Sequence, residues 1–246
     1  MNKLKLFTFP FAGGSSLYYY KWKKQLSSCI ELKTIELAGR GNRLKAPFYE
    51  TFHDAVEDLY ELMINEVQDD APFAFFGHSM GCLLSYELAH MLKERSNKEP
   101  KVMFMSGRWA PHIERDGMVD SSFPDVQLKA RLLELGGTTA ELFENQQMVE
   151  AFIPILRSDF LLMETYTYNE NREPLTAAIN VVTGNKDYDV NQRDLIEWQT
   201  HTTGEFSIHK FKGGHFYIND SFDSLLQHIN RTLEGYIPAK DISEKI

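Results

Sequence analysis

The chain has 246 residues, 43% hydrophobic and 25% charged, which suits a globular protein with a substantial core and excludes a disordered one. A net charge of −9 with no clustered Lys and Arg argues against nonspecific nucleic-acid binding, because phosphate neutralisation needs a basic patch. Its apolar runs fall far short of the roughly 20 residues that span a bilayer, no basic-then-apolar leader opens the sequence, and Cys29 and Cys82 are too few for a disulfide framework, so a cytoplasmic protein that avoids membranes is expected.

In chain order, short apolar runs recur at Leu4 to Phe9, Leu32 to Leu37, Phe73 to Phe76, Val102 to Met105, Ile179 to Thr183 and Phe206 to Phe211. Continuous rather than alternating apolarity predicts strands covered on both faces, as in a parallel sheet. Helical spacing appears between them, at Phe52, Val56, Leu59, Leu62 and Met63, and again at Cys82, Leu83, Tyr86, Leu88, Ala89 and Leu92. The fold class is therefore α/β, expected as a single domain over residues 1–246. Between the strands near Met105 and Ile179 lie about seventy residues without a strand signal, too long for a simple crossover. They contain one helix ending at Gly136-Gly137 and another from Met148 to Tyr166 that carries Pro154. This stretch, about 108–175, is expected to form a helical lid over one end of the sheet.

Gly77-His78-Ser79-Met80-Gly81 lies between the apolar run Phe73 to Phe76 and a helical pattern. Gly-x-Ser-x-Gly at a strand-to-helix junction is the nucleophile-elbow pattern, a sharp turn that exposes a serine at the sheet's edge. Ser79 is the expected nucleophile, and the Met80 amide, at the positive end of the following helix, an expected oxyanion donor. A second donor is expected from the loop after the first strand, at the amide of Phe11 or Ala12. Serine needs a base, and the base an orienting acid, in the order serine, acid, histidine on this kind of sheet. His215, after the last strand and Gly213-Gly214, is the expected base. His53, His90 and His228 fall in helical patterns as surface or packing residues, His209 in a strand, His201 ahead of it and His112 in the lid. His78 is expected to brace the elbow. The acid is expected to be Asp187, shortly after the strand Ile179 to Thr183, with Asp189 as runner-up; the alternative position after the preceding strand reads Ser106-Gly107-Arg108, without a carboxylate.

Several stretches together carry a resemblance: Phe9-Pro10-Phe11-Ala12-Gly13-Gly14, Gly39-Arg40-Gly41-Asn42-Arg43, Gly77-His78-Ser79-Met80-Gly81 and Gly213-Gly214-His215-Phe216. Ala110-Pro111-His112, Leu135-Gly136-Gly137 and Leu156-Arg157-Ser158-Asp159-Phe160 add to it. The chain resembles the type II thioesterases of nonribosomal peptide and polyketide synthases, members of the α/β-hydrolase superfamily, over nearly its whole length. It departs from their pattern at Ala38, where proline is common, and at Cys82, where a smaller residue is common. The resemblance implies an enzyme that hydrolyses acyl or aminoacyl thioesters on the 4'-phosphopantetheine arm of an acyl- or peptidyl-carrier protein. It implies no cofactor beyond that substrate-borne arm, and a monomer. A carboxylesterase or lipase would keep the same triad, and a docking protein without catalysis is a further alternative. Carrier domains are often acidic, so Arg108, Arg115, Lys129 and Arg131 are candidate docking residues.

Overall fold

The computed structural model describes residues 3–69, 71–115, 121–138 and 140–237. Six strands, β1 (Leu4–Phe9), β2 (Ile30–Thr34), β3 (Phe73–His78), β4 (Val102–Ser106), β5 (Ala178–Gly184) and β6 (Phe206–Phe211), form one sheet in the order β2-β1-β3-β4-β5-β6. Every pairing is parallel. The helices are α1 (Leu17–Tyr20), α2 (Phe52–Met63), α3 (Met80–Ser96), α4 (Asp125–Leu135), α5 (Ala140–Glu144), α6 (Gln146–Glu164), α7 (Gln192–Ile196), α8 (Tyr217–Asp220) and α9 (Phe222–Glu234).

The apolar runs are continuous because both faces of the sheet are covered. Successive side chains of a strand point to opposite faces, and in β3 Phe73 and Phe75 join one core cluster while Ala74 and Phe76 join the other. The first cluster is built with α2 and α3, the second with Trp22, Tyr19 of α1 and Leu225, Leu226, Ile229 and Leu233 of α9. Thr51 caps α2 through a reciprocal pair, its hydroxyl accepting from the Asp54 amide while the Asp54 carboxylate accepts from the Thr51 amide.

Strand order reverses between β1 and β3. The helix after β1 packs on one face and the helix after β3 on the other, so the two loops diverge at the carboxyl ends of adjacent strands and leave a crevice there.

One element sits earlier than the sequence implied. β2 spans Ile30–Thr34 rather than Leu32 to Leu37, because its partner β1 ends at Phe9, and the ladder runs only from Leu4–Ile30 to Thr8–Thr34. Ile35 and Leu37 stay buried, but as loop residues in the core. In the lid, α4 stops where expected: Gly136 takes φ 80°, and its amide donates to the Leu132 and Leu133 carbonyls. α6 starts at Gln146 because the Asn145 side chain caps it at the Met148 amide, and Pro154 lies within it. Among the described residues no helix is long and apolar enough to cross a membrane.

Several histidines are built in as neutral groups. Burial pushes His78 well down, His90 down to about 3 and His201 down to about 4. Below the ordinary histidine range the unfolded chain takes up protons that the folded chain refuses, so stability is full above about pH 6.5 and falls toward pH 4. Each such proton contributes a slope of about 1.4 kcal/mol per pH unit. Melting temperature measured from pH 7 down to pH 5 is expected to drop steeply below about 6.5; a flat profile would show that these imidazoles charge freely in the folded protein.

Candidate active site

Ser79 sits between β3 and α3 with φ 53° and ψ −114°, a left-handed conformation that a residue with a Cβ rarely adopts. Three contacts hold it there. The Ser79 amide donates to the Ser106 carbonyl at 2.8 Å, tying the turn to β4. A Cβ at Gly77 would lie 2.2 Å from the Gly81 carbonyl oxygen, and one at Gly81 would lie 2.5 Å from the Phe9 carbonyl oxygen. Glycine at both positions thus lets the turn close on itself and lets α3 begin against the end of β1. The buried Cys82 thiol donates to the Gly77 carbonyl at 3.1 Å and lies 3.3 Å from that of Ser106, so the larger residue at this position spans the elbow and β4. Burial pushes that thiol up to about 12.

The loops after β5 and β6 bring a carboxylate to an imidazole. His215 Nδ1 lies 2.9 Å from Asp187 Oδ2, with both side chains buried. The carboxylate can only accept, so Nδ1 carries the proton and Nε2 has a free lone pair. The two loops are stitched together by backbone bonds from Asn185 to Phe211 and from Lys186 to Gly213. Gly184 permits this approach, since a Cβ there would lie 2.1 Å from the Gly214 carbonyl oxygen.

Asp189 is turned elsewhere. Its carboxylate pairs with Arg131 of α4 at 2.5 Å, and its carbonyl accepts from Arg115, so it anchors the lid rather than the imidazole. Asp187, Asp189 and His215 each offer an atom within 4.8 Å of the others, while the two carboxylates are also engaged with His215 Nδ1 and Arg131.

Ser79 and His215 line one cavity of about 460 Å³, walled by Phe11 and Ala12 from the β1 loop and by Leu132, Leu135, Phe160 and Met163 from the lid. Met80, next to Ser79, opens the 17-residue helix α3 and is fully buried. In the β1 loop the Gly13 amide is taken by Asp159 at 2.7 Å and the Gly14 amide by the Phe11 carbonyl at 2.8 Å. Phe11 and Ala12 are thereby the loop residues left at the cavity wall.

His78, expected to brace the elbow, is tied to β4 and packs on His215. Its ring lies 5.0 Å from that of His215, and its Nδ1 is 2.9 Å from Ser106 Oγ, which in turn is 2.7 Å from the Tyr217 hydroxyl. Ser106 therefore fills the position where a second candidate acid was sought. Burial and the neighbouring His215 push His78 well down, so it adds no positive charge beside the His215 ring.

The remaining histidines lie elsewhere. His53 is exposed on α2 and His90 is buried in α3; His209 and His228 stack on each other at 4.0 Å; His201 bonds to Tyr86 and His112.

Of the basic candidates for docking, Arg108 needs correction. Arg108 is buried, lining the cavity 4.0 Å over the Trp109 ring, so it offers nothing to an outer surface. Arg115 is paired with Asp194 and Arg131 with Asp189, while Lys129 lies 5.2 Å over the Phe143 ring. The sequence reading also passed over Arg40 and Asp159 as individual residues, although a charged side chain in the middle of an apolar helical pattern is itself a signal.

Gly81→Ala is expected to lower stability by more than about 2 kcal/mol, because both sides of the 2.5 Å clash are backbone. Gly136→Ala, where nothing lies within 4 Å, should lose only the roughly 1 kcal/mol of a strained φ. Thermal melts of the two variants compare them directly; equal losses would contradict the close-packed elbow.

The thioesterase-domain family model matches residues 4–233. The chain is 37% identical over 235 residues to linear gramicidin dehydrogenase LgrE of Brevibacillus parabrevis, an alignment covering 94% of this chain and 88% of that protein. Despite the word dehydrogenase in that name, the β1 loop here, Phe9-Pro10-Phe11-Ala12-Gly13-Gly14, has no Gly-x-Gly-x-x-Gly dinucleotide fingerprint. The structure superimposes on that of ClbQ from the colibactin NRPS/PKS pathway with a TM-score of 0.89 at 32% identity, covering 95% of this chain and 98% of that one. It superimposes on YbtT, a type II thioesterase from the yersiniabactin NRPS/PKS pathway, with a TM-score of 0.86 at 26% identity, covering 96% and 95%. The elbow, the paired loops and the lid thus belong to a chain of the thioesterase family with the α/β-hydrolase fold.

Proposed function

We propose that the protein is a type II thioesterase that hydrolyses acyl and aminoacyl groups from the 4'-phosphopantetheine arm of an acyl- or peptidyl-carrier protein, clearing stalled or misprimed synthases. The observation that carries this reading is the strained Ser79 in one cavity with the His215–Asp187 pair. In this reading Ser79 Oγ attacks the thioester carbonyl as His215 Nε2 takes its proton. Asp187 holds the ring in the tautomer that leaves Nε2 free and stabilises the imidazolium. The Met80 amide and that of Phe11 or Ala12 receive the oxyanion, a contribution of about 3 to 4 kcal/mol per donor in related chemistry. As the intermediate collapses, His215 Nε2 gives that proton to the departing pantetheine sulfur; it then takes a proton from the water that attacks the acyl-serine and passes it to Ser79 Oγ as the acid is released.

Serine, imidazole and carboxylate supply the whole reaction, so we assign no metal or organic cofactor. A cavity of about 460 Å³ beside Ser79 has room for an acyl or aminoacyl group with the end of the arm. The partner would be a carrier protein and the working form a cytoplasmic monomer. LgrE and ClbQ, whose names point to gramicidin and colibactin synthesis, support a role beside such a synthase.

On a carrier protein loaded with an acetyl or aminoacyl group, wild type is expected to release acid and Ser79→Ala to lose at least about 10³-fold in rate. Equal slow release by both would reject the reading, and cleavage of free esters without carrier activity would replace it with a carboxylesterase. For the acid, Asp187→Asn should lower kcat at least about 100-fold and Asp189→Asn much less; the reverse order would move the acid to Asp189.

A further inference from the structure

Arg40 and Asp159 form an ion pair inside the protein, 3% and 0% exposed, with Arg40 Nη1 and Nη2 at 2.7 and 2.5 Å from the two carboxylate oxygens. Arg40 lies in the loop that follows β2, whereas Asp159 lies in the middle of lid helix α6. Both residues also reach a third element. Asp159 Oδ2 accepts from the Gly13 amide at 2.7 Å, and Arg40 Nη1 donates to the Gly14 carbonyl at 3.0 Å. The pair therefore grips the β1 loop by two consecutive residues, one through its N–H and one through its C=O.

The lid presses on the same loop from above. A Cβ on Gly13, which has φ 76°, would lie 2.9 Å from the Phe152 ring and 3.3 Å from Leu156 of α6, and Ala12 packs against the lid's own core of Leu128, Leu132, Leu156 and Phe160. Both Phe11 and Ala12 line the cavity with Ser79.

As a device for stability the pair is a poor choice. Desolvating two charges offsets most of their attraction, and well-packed apolar residues of similar volume often do as well or better. Among the described residues, Arg40 Nε is moreover buried without a hydrogen-bond partner. What apolar residues could not supply is a carboxylate and a guanidinium holding two backbone groups of the β1 loop in fixed directions.

We propose that Arg40 and Asp159 are positioning residues that fix the β1 loop so that its amide meets the developing oxyanion, and that they make the lid helix α6 part of the catalytic frame. This rests on the thioesterase reading above. Misplacing an oxyanion donor raises the barrier without weakening ground-state binding, so the effect falls on kcat rather than KM.

The test uses Asp159→Asn and the double variant Arg40→Met/Asp159→Leu, with kcat and KM for release of acetate from a loaded carrier protein, and melting temperature alongside. Both variants are expected to lose at least tenfold in kcat with KM within about twofold, the double variant melting within a few degrees of wild type. A double variant with wild-type kcat would assign the pair to packing and overturn the proposal. So would a loss of kcat that follows melting temperature across the variants, or the failure of both to fold. A wild type that releases no acid would overturn the thioesterase reading and this inference with it, which separates the two kinds of failure.

Discussion

A non-glycine residue held at φ 53° costs on the order of 1 to 3 kcal/mol, and it stays there only when its surroundings leave no alternative. At Ser79 the surroundings are backbone: the Ser106 carbonyl above, the Gly77–Gly81 contact within the turn, and the Phe9 carbonyl against Gly81. The first and third depend on neighbouring strands being in register, so the position of one hydroxyl is set by β1, β3 and β4 together. The covered sheet supplies the rigidity. Phe75 and Phe76 are both fully buried, on opposite faces, and lock β3 from either side immediately before the elbow.

The same sheet distributes the rest of the chemistry. Reversal of strand order at β1 and β3 places the Phe11 loop beside the serine, while the ends of β5 and β6 deliver Asp187 and His215. The lid then closes the space. Among the charged contacts that fasten it are Arg131 to Asp189, Arg115 to Asp194 of α7, Arg172 to Glu87 of α3, and Asp159 to Arg40 near the β1 loop. The Arg131 pair is partly exposed and the Arg40 pair is buried.

The parallel sheet was legible in the sequence because burial on both faces writes unbroken apolar runs, as at Phe73 to Phe76. The elbow was legible because its geometry demands glycine at fixed spacing. The edge strand was less so: Leu32 to Leu37 looks like one apolar run, but where pairing stops is decided by the end of β1, which no local pattern records. Asp187 against Asp189 could not be separated by spacing, since both follow β5 closely, and only the fold shows that one meets His215 and the other meets Arg131. Arg108 read as an outward basic residue because its burial depends on α6, more than fifty residues away in sequence, passing over it near Met163. The Arg40–Asp159 pair is separated by 119 positions and likewise exists only in three dimensions.

The claim on which the account turns is that the strained Ser79 carries the acyl group during turnover. Intact-protein and peptide mass spectrometry, on samples quenched in the first turnover with an acyl-loaded carrier protein, measures it most directly. The account predicts a mass increase equal to the acyl group, located on the peptide containing Ser79, that decays as free acid appears. Free acid released at the full rate while the Ser79 peptide stays unmodified at every time would contradict it.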